Sequence, residues 1–346
     1  MRNKLSNHLF NDESDRMSCF SSSYGQSVHP FTASRYSSTL AAAPLVSSST
    51  FDIKSLNRRS HEMDILDICW SRNYFLLSVS LDKTVRLWHI SQPSTCLCCF
   101  RHSDLVTAVA FHPSDDRYFV SASMDCKLRL WYIPHKRVSV SNEIDSSYGV
   151  LTATSFCKDG RMIAVGTYEG RCLFYNSEGL QYHTQIFIKR SNKKRGKKIS
   201  AIVPIEGTNK ILVTSNDSRI RMYDLNDFSL LYKFKGAVHN SSQIRASLNQ
   251  DASYVICGSE NNNFYIWSLK TPKASTMKDV IQHSKRVCEY FEAYNAHDET
   301  VTVALFAPHS TYPAFLTEDK SPIGELIIAA DIRGNIKILL NLSFKF

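Results

Sequence analysis

Two stretches of the sequence carry the same set of polar residues at nearly the same spacing. The sets are His61, Ser78, Asp82 and Trp88, and then His102, Ser121, Asp125 and Trp131, with Ser80 and Ser123 as alternative hydroxyls. A serine, a histidine and a carboxylate could form a hydrolytic triad. A catalytic nucleophile would not be expected to recur in two repeats, however. A structural role is favoured, because buried imidazole, carboxylate, hydroxyl and indole groups must all find hydrogen-bond partners.

A second candidate site is the cysteine cluster Cys96-Leu97-Cys98-Cys99. Its Cys-x-x-Cys spacing could hold zinc if a second pair were present, but the sequence contains no second pair. We therefore predict no metal site and interpret the cluster as small apolar side chains on an outer strand. The ten cysteines are scattered through apolar stretches, which is typical of reduced thiols.

A third candidate is a basic run of seven cations within ten residues: Lys189, Arg190, Lys193, Lys194, Arg195, Lys197 and Lys198. Removing these seven charges from the formal net charge of +9 leaves about +2, so no general field for nucleic-acid binding is indicated. The run could contact an acidic partner such as anionic lipid, RNA or a nuclear-import receptor. Alternatively it is a solvated loop, because Ile186–Ile188 and Ile199–Val203 on either side have the pattern of strands.

Motifs for catalysis or cofactor binding are missing from the sequence. It contains no Gly-x-Gly-x-x-Gly, no Walker-type Gly-Lys-Ser/Thr, no Gly-x-Ser-x-Gly and no His-Glu-x-x-His. We therefore expect a binding protein without catalytic residues and without a cofactor.

The polar sets belong to a longer repeat that begins near residue 61. Its copies end in aromatic residues 43, 44, 48 and 44 positions apart: Trp88, Trp131, Tyr175, Tyr223 and Trp267. This period matches four short strands with their turns. A sixth copy ends at Leu339, 72 residues after Trp267, so 271–295 and 309–322 are interpreted as insertions. Within the first of these, 277–294 is expected to contain a short helix.

Strand patterning predicts an all-β fold built from the repeats. Alternation such as Leu128-Arg129-Leu130 places apolar and polar side chains on opposite sheet faces. Stacked sheets cover each other's faces, which predicts a β-propeller over 57–342. The six recognisable blades are expected at 61–101, 102–146, 147–196, 197–239, 240–295 and 296–342. Residues 1–56 are predicted to be a disordered Ser-rich tail, whose runs 40–46 and 51–53 could add a strand to an open edge.

The two polar sets resemble the structural tetrad of the WD-repeat (WD40) family. The resemblance implies that His, Ser, Asp and Trp form a hydrogen-bonded chain within a blade. Copies three and four have Tyr175 and Tyr223 in the tryptophan position and no opening histidine. We expect those two blades to depend more on packing.

A narrower resemblance covers residues 57–340. The sequence is similar to the WD-repeat family of rabphilin-like Rab effectors, which bind a Rab-type small GTPase of recycling endosomes. The similar runs are 74–78, 82–90, 96–100, 111–113, 115–119, 166–172, 182–186 and 210–221. The resemblance implies a non-enzymatic scaffold of endosomal recycling and vesicle transport, cytoplasmic and peripheral to endosomal membranes. The alternative is a nuclear or RNA-associated scaffold that uses the basic run.

The sequence departs from that family at its front. Family members carry a further blade and a Ser-rich insertion before the blade that begins here at His61, and their Rab-contacting segment is expected in that region. Rab binding is therefore not assigned to named residues. Seven blades are expected for the family. The six found here would close as a smaller ring, stay open, or borrow strands from residues 40–56.

Overall fold

The computed structural model of the protein describes residues 60–189, 195–269, 287–288, 291–308 and 325–341. All of them belong to one compact unit, residues 54–346. They form β-strands in six sheets and two single-turn 3-10 helices, Ser146–Tyr148 and Lys158–Gly160. None of the helices in this described part is long and apolar enough to cross a bilayer. The predicted all-β fold is confirmed. The proposed Ser-rich tail lies outside the described residues.

Sheets 1 to 3 each contain four antiparallel strands in chain order, with the first strand at one edge. Their strands are β1 (Ile65–Trp70), β2 (Phe75–Ser80), β3 (Thr84–His89) and β4 (Cys98–Arg101); β5 (Val106–Phe111), β6 (Tyr118–Ser123), β7 (Lys127–Tyr132) and β8 (Arg137–Glu143); and β9 (Leu151–Cys157), β10 (Met162–Thr167), β11 (Arg171–Asn176) and β12 (Tyr182–Phe187).

Sheets 4 to 6 follow the same plan with two departures. Their strands are β13 (Ile199–Ile205), β14 (Lys210–Ser215), β15 (Arg219–Asp224) and β16 (Leu230–Phe234); β17 (Ser247–Leu248), β18 (Tyr254–Gly258), β19 (Asn263–Ser268) and β21 (Glu292–Asn295); and β22 (Val301–Phe306), β23 (Glu325–Asp331) and β24 (Ile336–Asn341). A two-residue strand, β20 (Val287–Cys288), pairs in parallel with β16 and so extends sheet 4.

The helix expected within 277–294 is wrong for the part that the structure describes. Residues 287–288 and 292–294 are in strands β20 and β21. The physical reason is non-local: Cys288 pairs with Phe234 of sheet 4, and Glu292–Asn295 pairs with β19 of sheet 5. Residues 277–286 lie outside the described residues.

A repeated backbone turn precedes the third strand of the sheets. The residue just before that strand has positive φ in sheets 1 to 5: Lys83 (62°), Cys126 (60°), Gly170 (80°), Ser218 (61°) and Asn262 (68°). Tight hairpin turns commonly require this left-handed conformation. The same local geometry at five equivalent places shows that the sequence repeats are also structural repeats.

Consecutive sheets pack face to face through five apolar clusters. Between sheets 1 and 2, the ring of Phe119 stacks on Trp131 with centroids 5.8 Å apart and meets Phe100 edge-on at 4.9 Å. Phe119 is fully buried. Burying such a side chain contributes roughly 1.5–3 kcal/mol, so the apolar contacts between stacked faces stabilise the fold.

Side-chain hydrogen bonds also join the first strands of neighbouring sheets. A hydroxyl of one first strand donates a hydrogen bond to a backbone carbonyl in or just before the first strand of the next sheet at three places: Thr152 to Ile199 (2.7 Å), Ser200 to Ile244 (3.0 Å) and Ser247 to Ala304 (3.1 Å). Sheets 1 and 2 use a carboxylate instead, because Asp67 accepts the Val109 N–H at 3.0 Å. These bonds fix the register between sheets that share no backbone ladder.

One contact joins parts of the chain that are far apart in sequence. Arg245, just before β17, donates to Asp67 of β1 at 3.0 Å. Burial raises the pKa of Asp67, although the Arg245 guanidinium opposes that shift. The front of sheet 5 therefore lies within side-chain reach of sheet 1.

The outward faces of the first and last sheets carry exposed apolar side chains. Ile68 and Trp70 of β1 are 49% and 53% exposed, and Ile336 and Ile338 of β24 are 68% and 52% exposed. Within the described ranges sheet 6 has three strands. Residues 40–56, considered above as a source of further strands, lie outside those ranges.

The hydrogen bond between Thr152 of sheet 3 and Ile199 of sheet 4 can be tested by removing one hydroxyl. The T152V variant keeps the side-chain shape and leaves the Ile199 carbonyl without its donor, so we expect the free energy of unfolding to fall by about 1–2 kcal/mol. Urea denaturation followed by circular dichroism measures it. The matched control is T154V, because the Thr154 hydroxyl donates to the Ala164 carbonyl within sheet 3 at a longer distance of 3.3 Å. A loss of unfolding free energy in T152V no larger than that in T154V would contradict a stabilising role for the bond between the sheets.

Candidate functional site

The structure brings all four predicted residues of the first polar set together. Trp88 Nε1 donates to Ser78 Oγ at 2.8 Å, and Ser78 Oγ lies 2.6 Å from His61 Nε2. The other imidazole nitrogen, Nδ1, lies 2.9 Å from the Asp82 carboxylate. The chain therefore runs from indole through hydroxyl and imidazole to carboxylate, and each group has a partner.

The second polar set is joined only in part. Trp131 Nε1 donates to Ser121 Oγ at 2.9 Å, and Ser121 Oγ lies 2.8 Å from His102 Nε2. His102 Nδ1, however, faces the Phe100 carbonyl at 3.3 Å. His102 and Asp125 are not hydrogen-bonded to each other, which corrects the predicted chain at this link.

Asp125 has other partners, which explain the departure. Arg129 Nη2 donates to its carboxylate at 2.6 Å and Ser103 Oγ at 2.5 Å, and Ser123 is also hydrogen-bonded to it. Burial disfavours the carboxylate, but these donors outweigh burial and hold the pKa of Asp125 well below its usual range. Because these cationic and hydroxyl donors occupy the Asp125 carboxylate, His102 Nδ1 faces a backbone carbonyl instead.

The serine, aspartate and arginine form a motif that the sequence reasoning missed. It has the spacing Ser-x-Asp-x-x-x-Arg and occurs in three sheets: Ser80, Asp82 and Arg86; Ser123, Asp125 and Arg129; and Ser215, Asp217 and Arg221. The carboxylate-to-guanidinium distances are 3.9, 2.6 and 2.5 Å. The identical spacing was the signal that could have revealed it. Its third occurrence gives sheet 4 a buried ion pair although that sheet has no opening histidine.

Two further histidines occupy the opening position. His239, which the sequence reasoning missed, is buried, and its Nε2 lies 2.9 Å from the Gly258 carbonyl and 3.6 Å from Cys257 Sγ. His297 in sheet 6 was recognised, and its Nδ1 lies 3.2 Å from Asp331. In register, Ala329 of sheet 6 matches Ser121, so the described residues give His297 Nε2 no hydrogen-bond partner.

Burial determines what these groups can do chemically. Burial, and then the positive charge of Arg129, lowers the pKa of His102 to about 4, so the imidazole is neutral at neutral pH. Ser121 is fully buried beneath the indole of Trp131. A substrate carbonyl could not reach its hydroxyl without unfolding the sheet. The polar groups within each set are therefore hydrogen-bonded to each other inside the fold, and the sets are not a hydrolytic site.

The other candidate residues lie at the surface. Lys189, Arg195 and Lys197 are exposed on the connection from β12 to β13, and Lys198 is half-buried there, as the loop interpretation predicted; Arg190, Lys193 and Lys194 fall outside the described residues. Cys98 and Cys99 lie on the outer strand β4, also as predicted, and Cys96, Cys98 and Cys99 are free thiols. Across the described part of the chain, no group of His, Cys, Asp and Glu could hold a metal ion.

Comparison with known proteins connects the repeat to a family. Residues 53–89 and 94–132 match the family described as WD domain, G-beta repeat. The two matches end one residue after Trp88 and Trp131, the indoles of the hydrogen-bonded chains. The chain is a WD-repeat protein.

Several relatives extend the likeness beyond these two repeats. The chain is 47% identical over 305 residues to WD repeat-containing protein 44 of Xenopus laevis, covering 82% of this chain and 33% of that protein. It is 36% identical over 262 residues to an uncharacterized WD repeat-containing protein of Schizosaccharomyces pombe, covering 72% and 43%. It is 28% identical over 250 residues to 2-deoxy-glucose resistant protein 2 of Saccharomyces cerevisiae, covering 65% and 29%. The chain thus spans less than half the length of each.

Removing the central hydroxyl of a WD-repeat chain should be costly. In S121A both the Trp131 N–H and His102 Nε2 lose their buried partner, and we expect a loss of about 2–3 kcal/mol in the free energy of unfolding. The converse variant A329S supplies a hydroxyl near His297 Nε2, which has no hydrogen-bond partner among the described residues, and should stabilise the protein by about 1 kcal/mol. Chemical denaturation measures both. An S121A variant whose free energy of unfolding equals that of the wild type would contradict the structural role of Ser121.

The neutral state of His102 makes a pH-dependent prediction. The unfolded chain protonates this residue near its ordinary pKa of 6.5, whereas the native state resists protonation down to about 4. As the pH falls through this window the unfolded state binds the extra proton, so His102 should lower stability by at most about 3 kcal/mol. Denaturation curves between these pH values should show a flatter pH dependence for H102Q than for the wild type. H135Q, at an exposed histidine, should match the wild type; equal slopes in all three proteins would refute the assignment.

Proposed function

We propose that this WD-repeat protein is a non-enzymatic protein-binding scaffold that acts like a Rab effector in endosomal recycling and vesicle traffic, on the cytoplasmic side of endosomal membranes. The observation that carries the proposal is the set of long runs, such as 74–78, 115–119 and 182–186, that are similar to the Rab-binding WD-repeat family. These runs extend beyond the residues that a generic repeat needs.

Their surface exposure gives this similarity functional weight. Tyr74 and Tyr182 are 64% and 50% exposed, and the Arg117 side chain is 64% exposed. Packing does not dictate the identity of an exposed side chain, and binding residues are often carried on turns that a rigid scaffold positions. Similarity at such positions therefore supports a shared partner better than similarity in the core would.

A rigid platform near these residues suits a protein partner. The Asp116 carboxylate of sheet 2 accepts hydrogen bonds from Ser71 at 2.9 Å and from the Asn73 side chain at 2.8 Å, both in the turn after β1. That turn lies between Trp70 and Tyr74, which are both more than half exposed. Aromatic side chains held on a fixed backbone are typical anchors of protein interfaces.

Nucleotide-dependent retention of a small GTPase tests the proposal. The immobilised 346-residue chain is incubated with Rab-type GTPases of recycling endosomes loaded with a GTP analogue or with GDP. We expect preferential retention of the GTP-analogue form, because an effector distinguishes the ordered switch segments of that state. W70A/Y74A tests the platform, with V138A, at an exposed apolar residue of β8 outside the similar runs, as its control. Retention of neither form, or equal retention of both, would count against an effector role.

The second candidate is a nuclear or RNA-associated scaffold. The observation that favours it is the exposed basic run, of which Lys189, Arg195 and Lys197 lie at the surface. Such a scaffold would bind RNA through this run and would not need a small GTPase. Binding of a single-stranded RNA oligonucleotide that is lost in K189Q/R195Q/K197Q, without retention of a small GTPase, would favour this second candidate.

A further inference from the structure

The described end of the basic run is held against the body of the protein. The backbone N–H of Ile188 donates to Gly170 in the β10–β11 turn, and the Lys198 carbonyl accepts the N–H of Asn216 in the β14–β15 turn, both at 2.8 Å. Gly170 has a φ of 80°, and a Cβ there would lie 2.6 Å from the Ile188 carbonyl oxygen and 2.9 Å from the Lys197 nitrogen. Only glycine permits this approach. Residues 195–198 thus lie between two turns, each followed by an arginine.

The arginine on the first side is fixed by aromatic rings. The Arg171 guanidinium lies 5.0 Å from the ring centroids of both Tyr148 and Phe187, and its Nη1 donates to Gln185 at 2.9 Å. The ammonium of Lys189 lies 5.4 Å from the same Phe187 ring. Cation–π contacts of this kind hold a cation at the surface without neutralising its charge.

Sheet 4 adds cations on the second side. Arg219 follows the β14–β15 turn, and Lys233 lies on the adjacent strand β16. Burial, and then the positive charges of Arg221, Arg219 and Lys235, lowers the pKa of Lys233. The neighbouring carboxylate, Asp217, is already bound by Arg221 at 2.5 Å. The positive field of the run therefore continues onto sheet 4.

Corresponding turns elsewhere in the protein are balanced by acids. At the turns of sheets 1 and 2, Lys83 lies 3.7 Å from Asp104 and Lys127 lies 3.4 Å from Glu143. Within the described ranges, Lys189, Arg195 and Lys197 form no ion pair, although Glu169 lies in the β10–β11 turn. The charge is concentrated where sheets 3 and 4 meet.

We infer that this basic surface, formed by Arg171, Lys189, Arg195, Lys197, Lys198, Arg219 and Lys233, binds the anionic phospholipid headgroups of a membrane. Clustered lysines and arginines are attracted to anionic bilayers. Single-stranded RNA fits less well, because bases stack on aromatic faces and the Phe187 ring already carries both Arg171 and Lys189. The inference rests on the proposed function only for the choice of an endosomal membrane. The surface would hold the scaffold where its partner resides.

Vesicle flotation with the whole chain tests this surface. The probes are phosphatidylcholine vesicles with and without phosphatidylserine, and a single-stranded RNA oligonucleotide, at physiological ionic strength. The test variant is K189Q/R195Q/K197Q. The matched control R72Q/K136Q/K210Q removes the same charge from exposed positions at other turns. Thermal unfolding confirms that both variants are folded.

We expect the wild type and the control to float with the phosphatidylserine vesicles but not with the neutral ones. The test variant should partition about 10- to 100-fold less, because each cation near an anionic surface contributes roughly a factor of five. Added salt should weaken binding. Failure of the wild type to float, equal losses in both variants, or preferential binding of the RNA would each overturn the inference. None of these results depends on the GTPase experiment, so the two proposals can fail separately.

Discussion

Each interior sheet of this protein has two apolar faces, and water can solvate neither of them without cost. Sheet 2 shows the requirement clearly: Phe119 and Trp131 pack towards sheet 1, while Val120 and Leu130 pack towards sheet 3. A sheet of this kind is stable only between two others, which explains why the repeat occurs many times in succession. The turns, the polar chains and the surface loops all depend on this stacking.

Polar groups buried between the stacked faces impose a second condition, because most of them must have hydrogen-bond partners; His297 Nε2 is an exception among the described residues. Sheet 1 meets it with the chain from Trp88 to Asp82, and sheet 4 meets it with the Asp217–Arg221 ion pair. Sheet 3 has neither arrangement, and its core consists of residues such as Leu173 and Tyr175. The repeat therefore conserves geometry while its internal polar chemistry varies. Since these buried groups are engaged in stability, binding must use the turns and strand edges that remain at the surface.

The sequence was sufficient to predict the number of described sheets and their order, because the period and the alternation of apolar residues are local properties. It could not decide between Ser78 and Ser80. Residues two apart on a strand point to the same face, so only the depth of His61 in the fold selects Ser78. Nor could it show that Asp125 would bind Arg129 and Ser103 in preference to His102. That outcome depends on a competition among donors from three separate segments.

The strand at Val287–Cys288 illustrates the same limit. Two residues carry almost no periodicity, and their placement depends on the free edge of β16, more than fifty residues earlier. The position of Lys189 over the Phe187 ring was equally hidden, because the sequence shows the charge of the run but not the surface that it lies on. What sequence patterns miss here are contacts between segments that are distant along the chain.

The Asp67–Arg245 contact has a consequence for the order in which the protein folds. It closes a loop of 178 residues, and the entropy lost in closing such a loop is recovered only after the intervening sheets have stacked. Contacts at large sequence separation form slowly for this reason. Hairpins such as β2–β3 should appear early, sheet-to-sheet packing should follow, and the pairing of this carboxylate with this guanidinium should mark the end of the folding reaction.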